Sequence, residues 1–332
     1  MGSSFKCLLT VTFIICFYSC NEKNASNSEI ESYIVSEWIE NWGDSIFISQ
    51  VKSLQMCNGK LYFIDQYISE IFEMDKNFEL KQMIGRKGEG PNDFIYISSM
   101  SVLDSLFYVY DSGRASVICC NRKGQFLGQY KLADYRTPPY FRFAINDSNL
   151  IISNEREKQA FLEYNMQTQV VAFWGEKIPL SDEMQYRIRN GRNILSYKDK
   201  YISVPNSFPF VEVYDKRNRQ LLKKYDYSDV ELIRQSILKN KNNVKSNSHY
   251  WIAFDAYVEN DNLYLLLGGR DTRQEFVKNQ ILVLNLASNE QEQEKTLIQL
   301  PGEVYDTFCI ENDTIYAFNH SDSRIEMLTK EK

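Results

Sequence analysis

Short apolar runs separated by tight polar turns recur six times along the sequence. The runs begin at Leu61, Leu106, Leu150, Tyr201, Leu263 and Ile315. Their starts are 44 to 62 residues apart, which is the length of one four-stranded blade of a β-propeller. A second set of turns follows in phase with the first and opens at Asp75, Asn121, Asn165, Asp215 and Asn285. Because two independent turn signals repeat together, the pattern predicts an all-β fold with six blades.

The second repeat shows the strand order within one blade. We predict its four strands over residues 95–103, 106–111, 115–120 and 125–132. In this order, the loops between strands two and three and the links between blades lie on one side of the ring, which we call the first face. The turns between strands one and two and between strands three and four lie on the other side, the second face.

The two ends of the chain predict how the ring closes. The sixth repeat ends near Lys330 with three strands, and the apolar segment 33–39 precedes the first strand of repeat one (about 46–56) without a repeat of its own. The simplest account is that residues 33–39 supply the fourth strand of blade six, because this pairing removes an exposed sheet edge. An open two-domain β-sandwich is the alternative.

The N-terminal region is predicted to be a targeting segment. Lys6 precedes an apolar stretch, residues 7–18, which is too short and too close to the start for a stable membrane span. Residues 17–20 end in Cys20 and resemble a bacterial lipobox, which implies cleavage before Cys20 and a diacylglycerol on its sulfur. An ordinary signal peptide cleaved nearby is the alternative. The predicted organisation is a signal peptide over 1–19, a flexible tether over 20–32 and the propeller over 33–332.

Composition narrows the classes of function. The chain has 332 residues, 14% aromatic residues and a net charge of −6, so a nucleic-acid partner has no electrostatic support. Beyond the signal segment, the cysteines are Cys57, Cys119, Cys120 and Cys309, and they lack the spacing of a metal site. Free thiols buried in strands are favoured for these four residues, and a disulfide is left open.

A glycine-rich segment links repeats one and two. It covers residues 85–94 and contains Gly85, Gly88 and Gly90. Together with the Cys20 motif, it resembles the link of six-bladed NHL and TolB-like propeller lipoproteins of Gram-negative bacteria. The resemblance implies a binding or scaffold protein at the outer membrane or facing the periplasm, with surface exposure left open, and it implies no cofactor. A tight link between blades explains these glycines better than a phosphate-binding loop does.

Two links on the first face contain predicted helices. A capping-box pattern from Ser228 to Glu231 opens one of them, and a shorter helix is predicted over about 181–190. The apolar stripe of the first helix consists of Val230, Ile233, Ile237 and Leu238. A lid packed over the blade tops is the favoured interpretation, and a helix that docks a partner is the other.

The arginines are concentrated on the first face. Ten of the fifteen are predicted there: Arg86, Arg114, Arg136, Arg156, Arg187, Arg189, Arg192, Arg270, Arg273 and Arg324. The planar guanidinium suits carboxylates, sulfates and phosphates, and it stacks on aromatic rings. The candidate ligand-binding residues are therefore Arg86, Arg114, Arg156, Trp251, Arg270, Arg273 and Arg324. Salt bridges to nearby acidic residues are the competing explanation for these arginines.

The leading functional hypothesis is a lipid-anchored, non-enzymatic propeller. Its partner would be an envelope protein or an anionic saccharide or peptide, and it would contact the membrane through the lipid alone. The alternative is a propeller lyase or hydrolase that acts on acidic glycans at the channel mouth, and a third hypothesis is a purely structural subunit of an envelope assembly. The only histidines, His249 and His320, are predicted near Asp271 and Asp322, but solvated loop histidines are favoured over a metal site.

Overall fold

The computed structural model describes residues 29–132, 141–240, 250–271, 273, 275–288 and 295–331. Strands dominate these residues and form a propeller-like ring of six blades, which confirms the predicted fold class. The entry segment consists of β1 (Glu29–Ile39), β2 (Asn41–Trp42) and β3 (Ile46–Phe47). The predicted signal peptide and Cys20 lie outside the described residues.

The first three blades are regular four-stranded antiparallel sheets. Blade one consists of β4 (Val51–Cys57), β5 (Lys60–Asp65), β6 (Glu70–Asp75) and β7 (Leu80–Ile84). Blade two consists of β8 (Ile97–Leu103), β9 (Leu106–Asp111), β10 (Ser116–Asn121) and β11 (Phe126–Lys131). Blade three consists of β12 (Ala144–Asn146), β13 (Asn149–Ser153), β14 (Gln159–Asn165) and β15 (Val171–Glu176).

The last three blades carry both helices in their links. Helix α1 (Glu183–Arg189) precedes blade four, which consists of β16 (Arg192–Tyr197), β17 (Lys200–Pro205), β18 (Phe210–Asp215) and β19 (Leu221–Asp226). Helix α2 (Glu231–Asn240) precedes blade five, which consists of β20 (Ala253–Glu259), β21 (Asn262–Arg270), β22 (Phe276–Asn285) and β23 (Thr296–Gln299). Blade six contains β24 (Tyr305–Glu311), β25 (Thr314–Asn319) and β26 (Arg324–Lys330).

The strand β1 closes the ring, as predicted. Its residues from Tyr33 to Ile39 pair antiparallel with β26, and Tyr33 lies opposite Lys330. The strand also begins earlier than the predicted tether allows, because Glu29 to Ser32 pair in parallel with Thr296 to Gln299 of β23. This additional pairing covers the outer edge of blade five and joins blades five and six into one eight-stranded sheet.

The entry to blade one differs from the prediction. Residues 46–47 do not begin the inner strand; they form a hairpin with Asn41–Trp42, and the inner strand begins at Val51. Trp42 explains the change, because its ring stacks on Phe72 at 5.6 Å and its Nε1 donates to the carbonyl of Phe78 at 2.7 Å. The hairpin therefore covers the outer surface of the blade instead of extending its inner strand.

The core lies between neighbouring sheets, so each strand alternates between two apolar layers. The adjacent cysteines of β10 show this alternation, because Cys119 packs toward blade three and Cys120 toward blade one. Cys57, Cys119, Cys120 and Cys309 are all free thiols in the structure.

The helices agree with the predictions in position and differ in detail. Asp182 caps α1 by accepting from the amide of Gln185 at 2.8 Å. The predicted capping box of α2 is wrong, because the Ser228 hydroxyl donates to Asp226 and the Glu231 carboxylate pairs with Arg234. Leu238 is 58% exposed, so the buried stripe of α2 is shorter than predicted. Within the described part of the chain, neither helix is long and apolar enough to cross a bilayer.

Candidate functional site

The centre of the ring is closed by polar residues from the inner strands and, in blade three, from the segment just before the inner strand. One residue of each blade lies in this axial layer: Ser53, Ser99, Arg142, Asn193, Asp255 and Thr307. Arg142 and Asp255 form its buried ion pair, in which Nε donates to Oδ1 at 2.5 Å and Nη2 donates to Oδ2 at 2.7 Å. Both side chains are 7% exposed.

Arg142 reaches across the axis to several blades. Its Nη2 donates to the carbonyls of Leu54 in blade one and Phe308 in blade six, both at 3.1 Å. Its backbone amide donates to Asn193 Oδ1 of blade four at 2.8 Å. Burial alone would lower the pKa of Arg142, but the charge of Asp255 raises it, so the guanidinium stays charged. The hydrogen-bonded Arg142–Asp255 pair therefore occupies the centre of the channel.

A second charged cluster, centred on Asp306, lies on the first-face side of the axial layer. The carboxylate of Asp306 contacts Lys52 at 3.1 Å, Lys278 at 2.5 Å and His320 Nδ1 at 3.0 Å. Burial alone would raise the pKa of Asp306, but the ammonium groups of Lys278 and Lys52 hold it well below its ordinary value. His320 thus contacts Asp306 and not the predicted Asp322. No group of three or more His, Cys, Asp or Glu side chains that could hold a metal occurs among the described residues.

Four of the predicted ligand-binding arginines form ion pairs. Arg86 contacts Asp93 at 2.6 Å, and Arg114 donates to the carbonyls of Gly90 and Asp93, both at 3.1 Å. Arg324 contacts Asp322 at 3.1 Å and Glu326 at 2.7 Å. Arg273 contacts Asp271, Glu275 and Glu303 at 2.9, 3.3 and 3.7 Å. Arg86 and Arg114 meet at Asp93 in the link between blades one and two, whereas Arg273 and Arg324 belong to blades five and six. The four arginines therefore do not converge on one ligand.

The remaining predicted arginines lie in varied surroundings. Arg156 is exposed in the loop between strands two and three of blade three, and Arg187 is exposed on α1. Arg192 is fully buried and contacts Glu212 at 3.1 Å. Arg136 and His249 lie outside the described residues.

Three of the predicted residues do come together on the first face of blade five. Trp251 and Arg270 border a pocket of about 280 Å³, which we call the aromatic pocket; its other lining residues are Ser236, Tyr250, Phe254, Gly269 and Phe276. The Trp251 ring lies 6.1 Å from that of Phe254, which lies 5.8 Å from that of Phe276. Arg270 also borders a wider groove of about 890 Å³ between α2 and the link to blade six, and Arg273 lines this groove.

A glycine positions α2 beside this pocket. A Cβ on Gly269 would lie 2.3 Å from Ser236 Oγ and 3.1 Å from the Leu232 side chain, so only glycine lets β21 approach the helix this closely. Val230 and Ile233 of the helix segment are buried against the blade-five core. The close packing of helix on strand therefore fixes one wall of both cavities.

The groove carries charges of both signs. Asp229, Glu231, Asp271 and Glu303 line it together with Arg270 and Arg273. Carboxyl groups whose pKa is raised by burial, which are the usual signature of a general acid, occur elsewhere at Glu70, Glu155 and Glu259. None of these three lines the groove or the aromatic pocket.

Sequence reasoning missed Arg142, Asp255 and the aromatic partners Phe254 and Phe276. The axial residues left only a weak signal: five of them lie within inner strands, and Arg142 lies two residues before β12. Only the spatial arrangement shows that one of these residues is long enough to reach the others.

Comparison with protein families identifies the family of this chain. A family model described as a 6-bladed beta-propeller, DUF5128, matches residues 20–293. The chain belongs to this DUF5128 family. The comparison with curated protein sequences found no match.

Solved structures similar to this DUF5128 chain share its fold at low sequence identity. A Bacteroides fragilis protein, named as a candidate exported protein, has a TM-score of 0.60 at 14% identity and covers 92% of this chain and 99% of its own. A member of the DUF4221 family from Bacteroides vulgatus has a TM-score of 0.57 at 13% identity, with coverages of 90% and 97%. A streptogramin B lyase has a TM-score of 0.54 at 11% identity, with coverages of 90% and 98%.

Proposed function

We propose that this chain is a non-enzymatic binding protein of the cell envelope, anchored by lipid at Cys20, and that it binds an acidic saccharide at blade five. The observation that carries the proposal is that Trp251 and Arg270 border the same pocket, whose other walls are largely aromatic. Aromatic rings provide flat apolar surfaces for the C–H faces of a sugar, and a guanidinium matches a carboxylate. A pocket with aromatic walls and one cationic side chain therefore fits a sugar unit that carries a carboxylate.

The position of the first described residue indicates which face of the propeller a lipid anchor would hold toward the membrane. Glu29 pairs with Thr296, which follows the turn between strands three and four of blade five, so the chain enters the propeller at the second face. Eight residues separate Cys20 from Glu29, and they span at most about 30 Å. A lipid on Cys20 would keep the second face toward the membrane. The aromatic pocket on the first face would then point away from it.

The rival hypotheses differ in what they require of the site. A lyase or hydrolase needs an acid pair with a perturbed pKa beside a deep pocket, and the described acids with raised pKa values lie outside the blade-five cavities. Fold similarity to a lyase at 11% identity carries no chemistry to this chain. An acidic peptide or an envelope protein remains the other class of partner, and the binding experiment separates it.

Calorimetric titration of the purified protein tests the proposal. The ligands are tetragalacturonate, its methyl ester and an acidic peptide of the same charge as the saccharide. We expect the acidic saccharide to bind more tightly than its ester, because only the acid offers a carboxylate to Arg270. Trp251→Ala should weaken binding at least tenfold, and Arg270→Gln should remove the preference for acid over ester. Arg86→Gln, an exposed arginine elsewhere on the first face, is the matched control and should bind as the wild type does.

Three outcomes would contradict the proposal. Absence of saccharide binding, or equal affinities for all variants, would remove blade five as the site. Binding of the acidic peptide alone would assign the pocket to a protein partner. Appearance of unsaturated or shortened saccharide products, followed by chromatography, would favour the enzyme hypothesis.

A further inference from the structure

A separate cavity opens at the second-face end of the axis. This second-face pocket has a volume of about 330 Å³, and Met100, Ser101, Phe143, Leu195 and Tyr257 line it beneath Arg142. The volume is at the lower end of the range for small-molecule sites, and its lining mixes apolar side chains with a few polar groups. It lies on the face opposite the aromatic pocket, so an inference about it is independent of the function proposed for blade five.

The cavity exists because the ring is not symmetric. Among the described residues, neighbouring inner strands pack closely at five of the six blade junctions, and the exception is the junction of β8 with β12. Strand β12 has three residues, whereas the other inner strands have six or seven. Both strands of this junction contribute lining residues to the pocket, among them Met100 and Ser101 of β8 and Ala144 and Ile145 of β12. Gln55 stiffens one side of it by accepting from the amide of Val102 at 3.1 Å and donating to the carbonyl of Met100 at 2.5 Å.

Arg142 lines the inner end of this pocket, and its guanidinium carbon lies 5.8 Å from the centre of the Tyr257 ring, another lining residue. Nε and Nη2 make all of its hydrogen bonds to described residues, to Asp255, Leu54, Thr307 and Phe308, and Nη1 makes none. The residue is 6% exposed, so an unused donor remains on a side chain that is otherwise enclosed. Nη1 is not among the fully enclosed atoms, so a water molecule or a ligand in the pocket can accept from it.

We infer that the second-face pocket binds a small neutral molecule that has an apolar body and a carbonyl oxygen, and that the oxygen accepts a hydrogen bond from Arg142 Nη1. Neutrality follows from the charge balance, because Asp255 already neutralises the guanidinium through two hydrogen bonds. A carboxylate in the pocket would add an uncompensated charge close to Asp255 and would lose its hydration. A neutral carbonyl satisfies Nη1 without either cost, while Phe143, Leu195 and Tyr257 contact the apolar body.

Three molecules that share a methylphenyl body test this inference: 4-methylbenzamide, 4-methylbenzoate and toluene. Each is titrated at pH 7 into the ¹⁵N-labelled protein, and the backbone amide signals of Ser101, Phe143 and Leu195 report binding. We expect saturable shifts with the amide, and an affinity about tenfold higher than for the carboxylate or toluene, a difference of about 1.4 kcal/mol. Toluene offers no acceptor to Arg142 Nη1, and the carboxylate adds an uncompensated charge.

A pocket-filling variant provides the second test. Ser101→Trp places an indole in the cavity without removing any partner of Arg142, and it should weaken binding of the amide at least tenfold. Ser181→Trp, at an exposed serine on the opposite face, is the matched control and should bind as the wild type does. The inference is overturned if the amide gives no saturable shifts at these signals, if the carboxylate binds more tightly, or if Ser101→Trp retains wild-type affinity. The comparison of the three molecules needs no variant, so a folding defect in Ser101→Trp would leave the test intact.

Discussion

The axis and the first face of blade five use arginine in opposite ways. Arg142 at the axis is enclosed, is paired in bidentate fashion with Asp255, and bonds to carbonyls of blades one and six. Arg270 on blade five is exposed and borders two cavities. One arginine has its charge neutralised inside the fold, and the other presents its side chain at a surface that a ligand can reach. The residue type alone therefore does not indicate function, and its enclosure must also be known.

The contrast also separates what each region contributes to the molecule. The axial layer joins inner strands that are far apart in sequence, since Arg142 and Asp255 are 113 residues apart. The walls of the aromatic pocket come from blade five and its preceding link. Changes at the axis should therefore alter the stability of the whole ring, whereas changes at blade five should alter binding with little effect on folding.

The largest effect is expected from Arg142→Met. The change leaves the Asp255 carboxylate buried without its cationic partner, and breaking a buried ion pair in this way costs about 3–5 kcal/mol. Urea denaturation followed by circular dichroism measures the free energy of unfolding. A loss below about 1 kcal/mol would show that the axial ion pair does not stabilise the ring.

Two further variants distinguish the charge from the packing. Arg142→Met combined with Asp255→Leu removes both charges, so part of the lost stability should return. Arg270→Gln should leave the urea midpoint unchanged, because its side chain is exposed. If Arg270→Gln were as destabilising as Arg142→Met, the distinction between the two regions would fail.

A smaller effect, dependent on pH, is expected at Asp306. Its folded pKa is lowered, so its contribution to stability is fully present above the unfolded pKa of about 3.9 and is lost as the pH falls toward the folded value. Asp306→Asn should therefore lower the free energy of unfolding by about 2 kcal/mol at pH 7, because it removes charged contacts to Lys52 and Lys278.

The pH series provides the control for Asp306. The gap between wild type and Asp306→Asn should narrow when urea denaturation is repeated from pH 5 down to pH 3, since the wild-type carboxylate then loses its advantage. Asp44→Asn, at an exposed aspartate, should not reproduce this convergence. A gap that stayed constant at every pH would mean that Asp306 acts through packing and not through its charge.

Much of the fold could be predicted because the relevant signals are local. The second strand of blade two was predicted over 106–111 and observed as Leu106–Asp111, since a turn signal limits it on each side. The closing strand was predicted from an unpaired apolar segment, and it pairs with β26. The hairpin at Trp42 was missed because it depends on a ring stacking against Phe72 from another strand, and such a contact leaves no periodic pattern.

The site was less predictable because it depends on distances between blades. Assigning loops to the first face correctly brought Trp251, Arg270 and Arg273 to blade five. The same rule grouped Arg192 with the surface arginines, although it is fully buried against Glu212. The enclosure of an arginine depends on neighbours contributed by other repeats, and the sequence of one repeat does not contain them.

The smallest effects are expected at the glycine-rich link, where two arginines contact the same loop. Arg114 is 22% exposed and donates to the carbonyls of Gly90 and Asp93, whereas the Arg86 side chain is 76% exposed and pairs with the Asp93 carboxylate. Arg114→Gln should lower the free energy of unfolding by about 1–2 kcal/mol, because two carbonyls lose their charged donor. Arg86→Gln should leave the urea midpoint unchanged, because exposed ion pairs contribute little.

Hydrogen exchange at the link gives the more local measurement of this difference. The Gly88 amide donates to the Phe94 carbonyl at 2.9 Å, and the Phe94 amide donates to the Arg86 carbonyl at 2.8 Å. If Arg114 holds the loop in this shape, Arg114→Gln should accelerate exchange of both amides, and Arg86→Gln should leave their rates unchanged. Equal acceleration in the two variants would mean that the ion pair between Arg86 and the Asp93 carboxylate also orders the loop. The enclosure of an arginine would then not predict its structural role, even for an effect this small.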